Sequence, residues 1–91
     1  MQPNNSDKFI RWLFKDRCIL CFKAAECIHE IEPRSSGEGS MKWENRVTLC
    51  NQCHNMGENS VHHRGNSESE IMRLKLARQK YLIRIGRKQY V

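Results

Sequence analysis

Two cysteine pairs, Cys18-Ile19-Leu20-Cys21 and Cys50-Asn51-Gln52-Cys53, each separate their thiols by two residues. That spacing lets both sulfurs of a pair face one tetrahedral ion, and two such pairs complete a four-thiolate zinc site. Between the pairs stands Cys27-Ile28-His29-Glu30-Ile31-Glu32-Pro33, and His54 follows the last thiol directly. Asn45 lies sixteen residues after His29 and nine before His54. A histidine on a strand and another on a following helix can grip one divalent ion. The thiolate staple therefore brackets residues suited to metal-assisted acid–base chemistry.

The elements that must position these residues can be read from periodicity and caps. Ser6 caps a helix over about 6–16, in which Phe9, Ile10, Leu13 and Phe14 share one face. The first CxxC then forms a tight knuckle. Residues 25–32 read as a strand ended by Pro33, which cannot donate to a ladder. A polar, glycine-bearing loop follows at Arg34–Ser40. A second strand, Arg46-Val47-Thr48-Leu49, runs into the second CxxC, and a short helix starting near Cys50 carries His54. Met56–Ser60 reads as a break.

Ser67 and Glu70 form a capping box that opens a helix over about 67–85. Ile71, Leu74, Ala77, Tyr81 and Ile85 make its apolar stripe, flanked by Met72, Leu76 and Leu82. Arg73, Lys75, Arg78, Lys80 and Arg84 lie on or beyond that stripe. As a structural matter they solvate a core-packing helix. Arg73, Arg78, Lys80 and Arg84, with Arg34 in the loop, are also the candidate phosphate contacts. Trp12 and Trp43 read as packing residues and Cys27 as a small buried side chain.

The chain has 91 residues, 38% of them hydrophobic, with a mean hydropathy of −0.76. A chain of this size buries only roughly 60–65% of its unfolded surface, so its core alone is marginal. Structural zinc supplies on the order of 10 kcal/mol in finger-sized peptides. Five cysteines would leave one over in a pure disulfide framework. The opening Met1–Asp7 has no apolar stretch of the signal-peptide kind, and no segment is long enough to span a membrane. The expectation is a reducing, cytoplasmic setting with metal-bound thiols. The formal charge of +6 suits a polyanionic partner such as nucleic acid.

Taken together, Cys18-x-x-Cys21, Ile28-His29-Glu30-Ile31-Glu32-Pro33-Arg34-Ser35, Glu44-Asn45-Arg46-Val47-Thr48-Leu49 and Cys50-x-x-Cys53-His54 resemble the HNH endonuclease family. Small zinc-stapled phage and prophage members are especially similar. The resemblance covers roughly residues 18–63. It implies one α+β domain over 1–91, with a ββα-metal core flanked by an N-terminal helix and a basic C-terminal helix. It also implies a metal-dependent nuclease that nicks or cuts DNA, acting as a monomer or weak dimer in a bacterial cytoplasm. A phage packaging or recombination protein is the partner such a setting suggests. The alternative is a non-catalytic, zinc-ribbon-like nucleic-acid-binding module, which would have no need of His29, Asn45 and His54 together.

By the same resemblance, Cys18, Cys21, Cys50 and Cys53 hold structural zinc. His29 and His54 ligate a catalytic Mg²⁺, Mn²⁺, Ni²⁺ or Zn²⁺, and Asn45 fixes the hairpin. A third ligand follows on the helix: Met56–Asn59 look like a short insertion, which makes it His62, with Glu58 in simple register or His63 as the alternatives. The family usually places a general-base histidine after the first ligand, and here that position is Glu30. Phosphodiester hydrolysis needs a base for water and a cation for the charge that builds on phosphate. Either Glu30 takes the proton while His29 holds the metal, or the two roles are exchanged, since strand alternation does not decide which side chain faces the ion.

Overall fold

The structure, a computed structural model, describes residues 1–33 and 38–91. Helix α1 spans Asp7–Leu13. Ser6 caps it, its hydroxyl accepting from the Phe9 N–H at 3.1 Å. Phe9, Ile10, Leu13 and Phe14 are all buried. The helix stops before residue 16 because Lys15 (φ 56°) and Asp16 (φ 54°) adopt left-handed backbone. This reversal aims the chain into the first knuckle. There the Cys18 N–H donates to the Lys23 carbonyl at 2.7 Å, and Phe22 N–H to the Cys18 carbonyl at 2.9 Å.

Strand β1 (Cys27–Glu30) pairs antiparallel with β2 (Arg46–Leu49), with His29 opposite Val47 and Glu30 opposite Arg46. Backbone bonds from Glu26 to Leu49 (2.9 Å) and from Ile31 to Asn45 (2.8 Å) carry the pairing one residue past each end of β1. All four β2 residues are buried. Thr48 Oγ1 donates to the Arg17 carbonyl at 2.6 Å, and the Ile19 N–H donates to the Thr48 carbonyl at 3.1 Å. The first knuckle is thus hooked onto the strand that leads to the second.

After Cys50 the chain winds as a π-helical turn, Gln52–Met56, rather than as an ordinary α-helix. The Gly57 N–H closes it onto the Gln52 carbonyl at 2.9 Å. A Cβ at Gly57 would sit 2.9 Å from that same oxygen, so glycine is required here. Ser60 then caps a separate short helix, α2 (Val61–Arg64). Helix α3 spans Glu68–Arg84, with the Ser67 hydroxyl accepting from the Glu70 N–H. A last 3₁₀ turn, Lys88–Tyr90, follows.

The buried face of α3 is Leu74, Arg78, Tyr81 and Leu82. This is rotated from the expected stripe: Ile71, Ala77 and Ile85 are only partly buried, and Met72 and Leu76 face outward. The cause is Arg78. Its guanidinium lies 5.5 Å from the Trp43 ring centroid and 5.7 Å from that of Phe14, which keeps the cation against aromatic faces inside the core. Trp43, Trp12, Phe9 and Tyr90 pack edge to face or tilted against one another. The N-terminal segment is strapped to the hairpin, since Arg46 pairs with Asp7 at 2.8 Å and also bonds the Asn5 carbonyl. The result is a small α+β architecture in which a two-stranded hairpin runs into a helical turn beside a cysteine cluster. No described helix is long and apolar enough to cross a membrane.

Candidate metal centres

The four paired cysteines converge. Their sulfurs all lie within 4.8 Å of one another, drawn from the knuckle after α1 and the turn after β2. Cys21 and Cys50 sulfurs are 3.4 Å apart, far beyond a disulfide bond of about 2.05 Å. All five cysteines are free in this structure. Tetrahedral zinc with Zn–S bonds of about 2.3 Å needs sulfur separations of about 3.8 Å. The cluster fits that ion in donor type, number and span. Burial alone would raise the Cys50 thiol, but the Cys53 backbone N–H and the neighbouring thiols hydrogen-bond its sulfur and hold it below its ordinary value. Cys53 is pushed up, by burial first and then by the charge of Cys18. Four sulfurs so close share negative charge poorly unless a cation sits among them. Cys27 stands apart, its thiol donating to the Leu49 carbonyl at 3.3 Å.

A second cluster joins three elements. His29 comes from β1, His54 from the π turn and His62 from α2, and one nitrogen of each falls within a common 4.8 Å span. The His54 and His62 Nε2 atoms are 2.9 Å apart. The rings meet edge to face, with centroids separated by 4.4 to 5.5 Å. Burial, then the proximity of His54 and His62, lowers His29 from its ordinary 6.5 to about 4. Burial and His62 lower His54 as well. Imidazoles that resist protonation are ready metal ligands at neutral pH. Nitrogen bonds of about 2.0–2.1 Å suit this spacing, and three protein donors leave coordination positions open. The trio opens onto a pocket of about 280 Å³ lined also by Ile28, Glu30, Pro33 and Asn66.

Asn45 braces the hairpin behind this pocket. Its Oδ1 accepts from the Glu32 N–H at 2.9 Å, and its Nδ2 donates to the Glu32 carbonyl at 3.0 Å. One side chain thereby replaces both missing backbone partners where the strands part. From α3, Lys75 Nζ reaches Glu32 at 3.2 Å.

The other candidates are distributed unevenly. Glu30 lies on the pocket wall. Glu58 and His63 are exposed and stand outside the histidine trio. Arg78 departs from the expectation of a phosphate contact: it is buried between rings and presents no cation to solvent. Arg73 is half-buried and pairs with Glu70 at 2.9 Å. Lys80 and Arg84 are exposed. Arg34 lies outside the described residues.

Two features escaped the sequence. Asn66 joins the pocket wall from the turn between α2 and α3, and only its closeness to His62 could have hinted at this. Arg64, on the helix that carries His62, is gripped by the Glu70 carboxylate at 2.9 and 3.0 Å. Glu70 was legible as a helix-capping residue, but its second task was not.

Residues 18–60 match the family model of the HNH endonucleases. The matched HNH segment contains both cysteine pairs, the hairpin and His54; His62 and α3 lie beyond it. HNH nucleases act on DNA, and the match suggests nuclease-family membership, with side-chain clusters that could hold a metal ion. No curated protein and no solved structure matches the chain.

Proposed function

We propose that the chain is a metal-dependent HNH endonuclease that hydrolyses DNA phosphodiester bonds. The observation that carries this reading is the convergence of His29, His54 and His62 on one open pocket whose wall includes a carboxylate, Glu30. A binding-only module needs the cysteine staple but has no use for a second, open set of nitrogen donors. A divalent cation held by the trio would supply Lewis-acid stabilisation of the charge that builds on the phosphate. Mg²⁺, Mn²⁺, Ni²⁺ and Zn²⁺ are the candidates there, with zinc as the structural ion at Cys18, Cys21, Cys50 and Cys53.

The geometry favours one division of labour between His29 and Glu30. The His29 ring is turned into the trio, and an imidazole that gives its lone pair to a cation cannot also accept a proton. That leaves Glu30 to take the proton from the attacking water. Asn45 fixes the backbone at Glu32, two residues from Glu30, and so holds the carboxylate's strand in register. Exposed cations on α3, Lys80 and Arg84, draw in the polyanion.

The test is nicking of supercoiled plasmid by the zinc-loaded protein, with each divalent metal added in turn. Glu30→Gln should lower the rate by about a hundredfold or more, the scale of a general base, with metal affinity little changed. His29→Ala should instead lose metal affinity. Wild-type protein that binds DNA but cleaves none of it with any metal would return the chain to the binding-module reading.

A further inference from the structure

A second concave surface shares no residue with the histidine pocket. It is a groove of about 230 Å³ between the first cysteine knuckle and α3, lined by Ile19, Leu20, Phe22, Tyr81, Lys80 and Arg84, with Ala77 at its floor. Phe22 sits at the tip of the knuckle with φ 68° and is 38% exposed. Left-handed backbone is costly for a bulky residue and is the usual place for glycine or asparagine. A small polar side chain would close the knuckle at lower cost, yet the position carries an aromatic ring open to solvent.

The ring packs against two groups of α3. The Tyr81 ring is tilted against it, with centroids 5.4 Å apart and planes inclined by 37°. The Arg84 guanidinium lies over the Phe22 ring at 4.6 Å. Arg84 is itself exposed, so a flat cation over the Phe22 ring is open to solvent. Around it the charge has one sign. Lys80 and Arg84 line the groove and, among the described residues, no carboxylate does, while Arg17 reaches the Phe22 carbonyl at 3.4 Å. A duplex backbone would need only the cations. A guanidinium over a partly exposed aromatic ring, within an apolar groove whose charges are both basic, suits a flat ring attached to a phosphate.

We propose that this groove holds an unpaired nucleotide of the DNA substrate, its base continuing the Phe22–Arg84 stack and its phosphate meeting Lys80. The inference rests on the nuclease reading and adds a substrate class: DNA with a single-stranded stretch, as in gaps, flaps or forks, is preferred over perfect duplex. The surface is separate from the cutting site, so it selects the substrate without taking part in hydrolysis.

The test is fluorescence anisotropy with zinc-loaded full chain and no added divalent metal. The probes are a perfect duplex and the same duplex carrying a short gap. Wild type should bind the gapped probe more tightly. Phe22→Leu keeps an apolar side chain but removes the plane, and Arg84→Lys keeps the charge but removes the flat cation. Each should weaken gapped-probe binding by about fivefold or more, the effect of losing one stacked base, and change duplex binding less than about twofold. Arg84→Lys alters an exposed side chain, so it stays informative if Phe22→Leu perturbs the knuckle. Equal wild-type affinity for the two probes, or equal losses on both in Arg84→Lys, would overturn the proposal. In that case, metal-dependent plasmid nicking by wild type would leave the nuclease reading standing. Wild type that neither binds nor cuts any DNA would defeat both.

Discussion

The cysteine cluster and the histidine cluster share one short piece of chain, yet they are built on opposite plans. Cys50, Cys53 and His54 all follow β2 within five residues. The sulfurs come from two tight turns, one hooked to β2 through Ile19 and Thr48, and four thiols close the sphere of an ion completely. The imidazoles come one each from a strand, a π turn and a four-residue helix, and they leave one side open to a pocket. A closed set of donors suits a metal that holds the fold together; an open set suits a metal that must also meet a substrate. The π turn connects the two plans. It winds wider than an α-helix, and in it Cys53 contributes to one cluster while the adjacent His54 contributes to the other.

The largest expected effect tests the first plan. Cys50→Ser removes a proposed zinc ligand buried at the junction of β2 and the π turn. Structural zinc is worth on the order of 10 kcal/mol of folding in small domains, which exceeds what a marginal core can spare. The expected outcome is loss of bound zinc by elemental analysis together with loss of the cooperative thermal transition. A variant that keeps a sharp transition without zinc would show that the core suffices.

His54→Ala tests the second plan, one residue beyond Cys53. It should keep one zinc per chain and a near wild-type thermal midpoint, yet lose metal-dependent plasmid nicking by about a hundredfold or more, as expected when the site of charge stabilisation is removed. Unfolding of this variant would mean that the two clusters are one structural unit, and the contrast between them would fail.

How far each plan could be read from the sequence follows the same division. The thiol cluster is local: two CxxC spacings define it, and no tertiary information is needed beyond bringing two turns together. The hairpin and α1 were legible for similar reasons, through Pro33, Ser6 and the apolar run at Phe9 to Phe14. The third histidine was legible only through the resemblance, as His62 with Glu58 and His63 left beside it. Its place depends on how residues 56–59 are absorbed, and the chain does this with a π turn, the tight closure at Gly57 and a new Ser60 cap. None of these has a periodicity that marks it beforehand. Arg78 misled for a different reason. An arginine in a basic helix reads as solvated, and only the tertiary placement of Trp43 and Phe14 makes burial of its guanidinium tolerable.

Asn45 offers an intermediate test, since it serves the hairpin directly and the pocket indirectly. Asn45→Ala would leave the Glu32 N–H and carbonyl without their side-chain partners. A buried group left unsatisfied costs about 1–3 kcal/mol, so urea unfolding should shift by about that much. Nicking should fall while the zinc content stays at one per chain. Unchanged stability would mean that water replaces the brace and that the strands hold their register without it.

The smallest expected effect concerns the weakest support of the open site. His62 rides on α2, whose only buried residue is Val61, so this helix needs an outside anchor. Glu70 provides it by gripping Arg64 through both carboxylate oxygens and Arg73 through one. The hydrogen bonds from Arg64 and then Arg73 lower Glu70 from its ordinary 4.5 to about 2. The sign follows from that shift: the carboxylate is charged in the folded protein well below its ordinary range, so the clamp is fully present above about pH 4.5 and fails as pH falls through about 2. At neutral pH, only mutation removes it. Glu70→Gln should weaken metal binding at the histidine trio by about threefold to tenfold, below the ten- to hundredfold of a partner bonded directly to a ligand. Zinc at the cysteines and the thermal midpoint should hardly move, since the pairs are still partly exposed. Arg64→Lys, which keeps the charge but loses the two-pronged grip, should give a smaller shift in the same direction. Cobalt titration monitored by visible absorption resolves the two sites, because thiolate and imidazole ligands give different spectra. Glu70→Gln and wild type titrating alike at the imidazole site would mean that the pocket orders α2 by itself. A matching loss at the cysteine site would mean that the closed and open clusters are coupled through the turn they share.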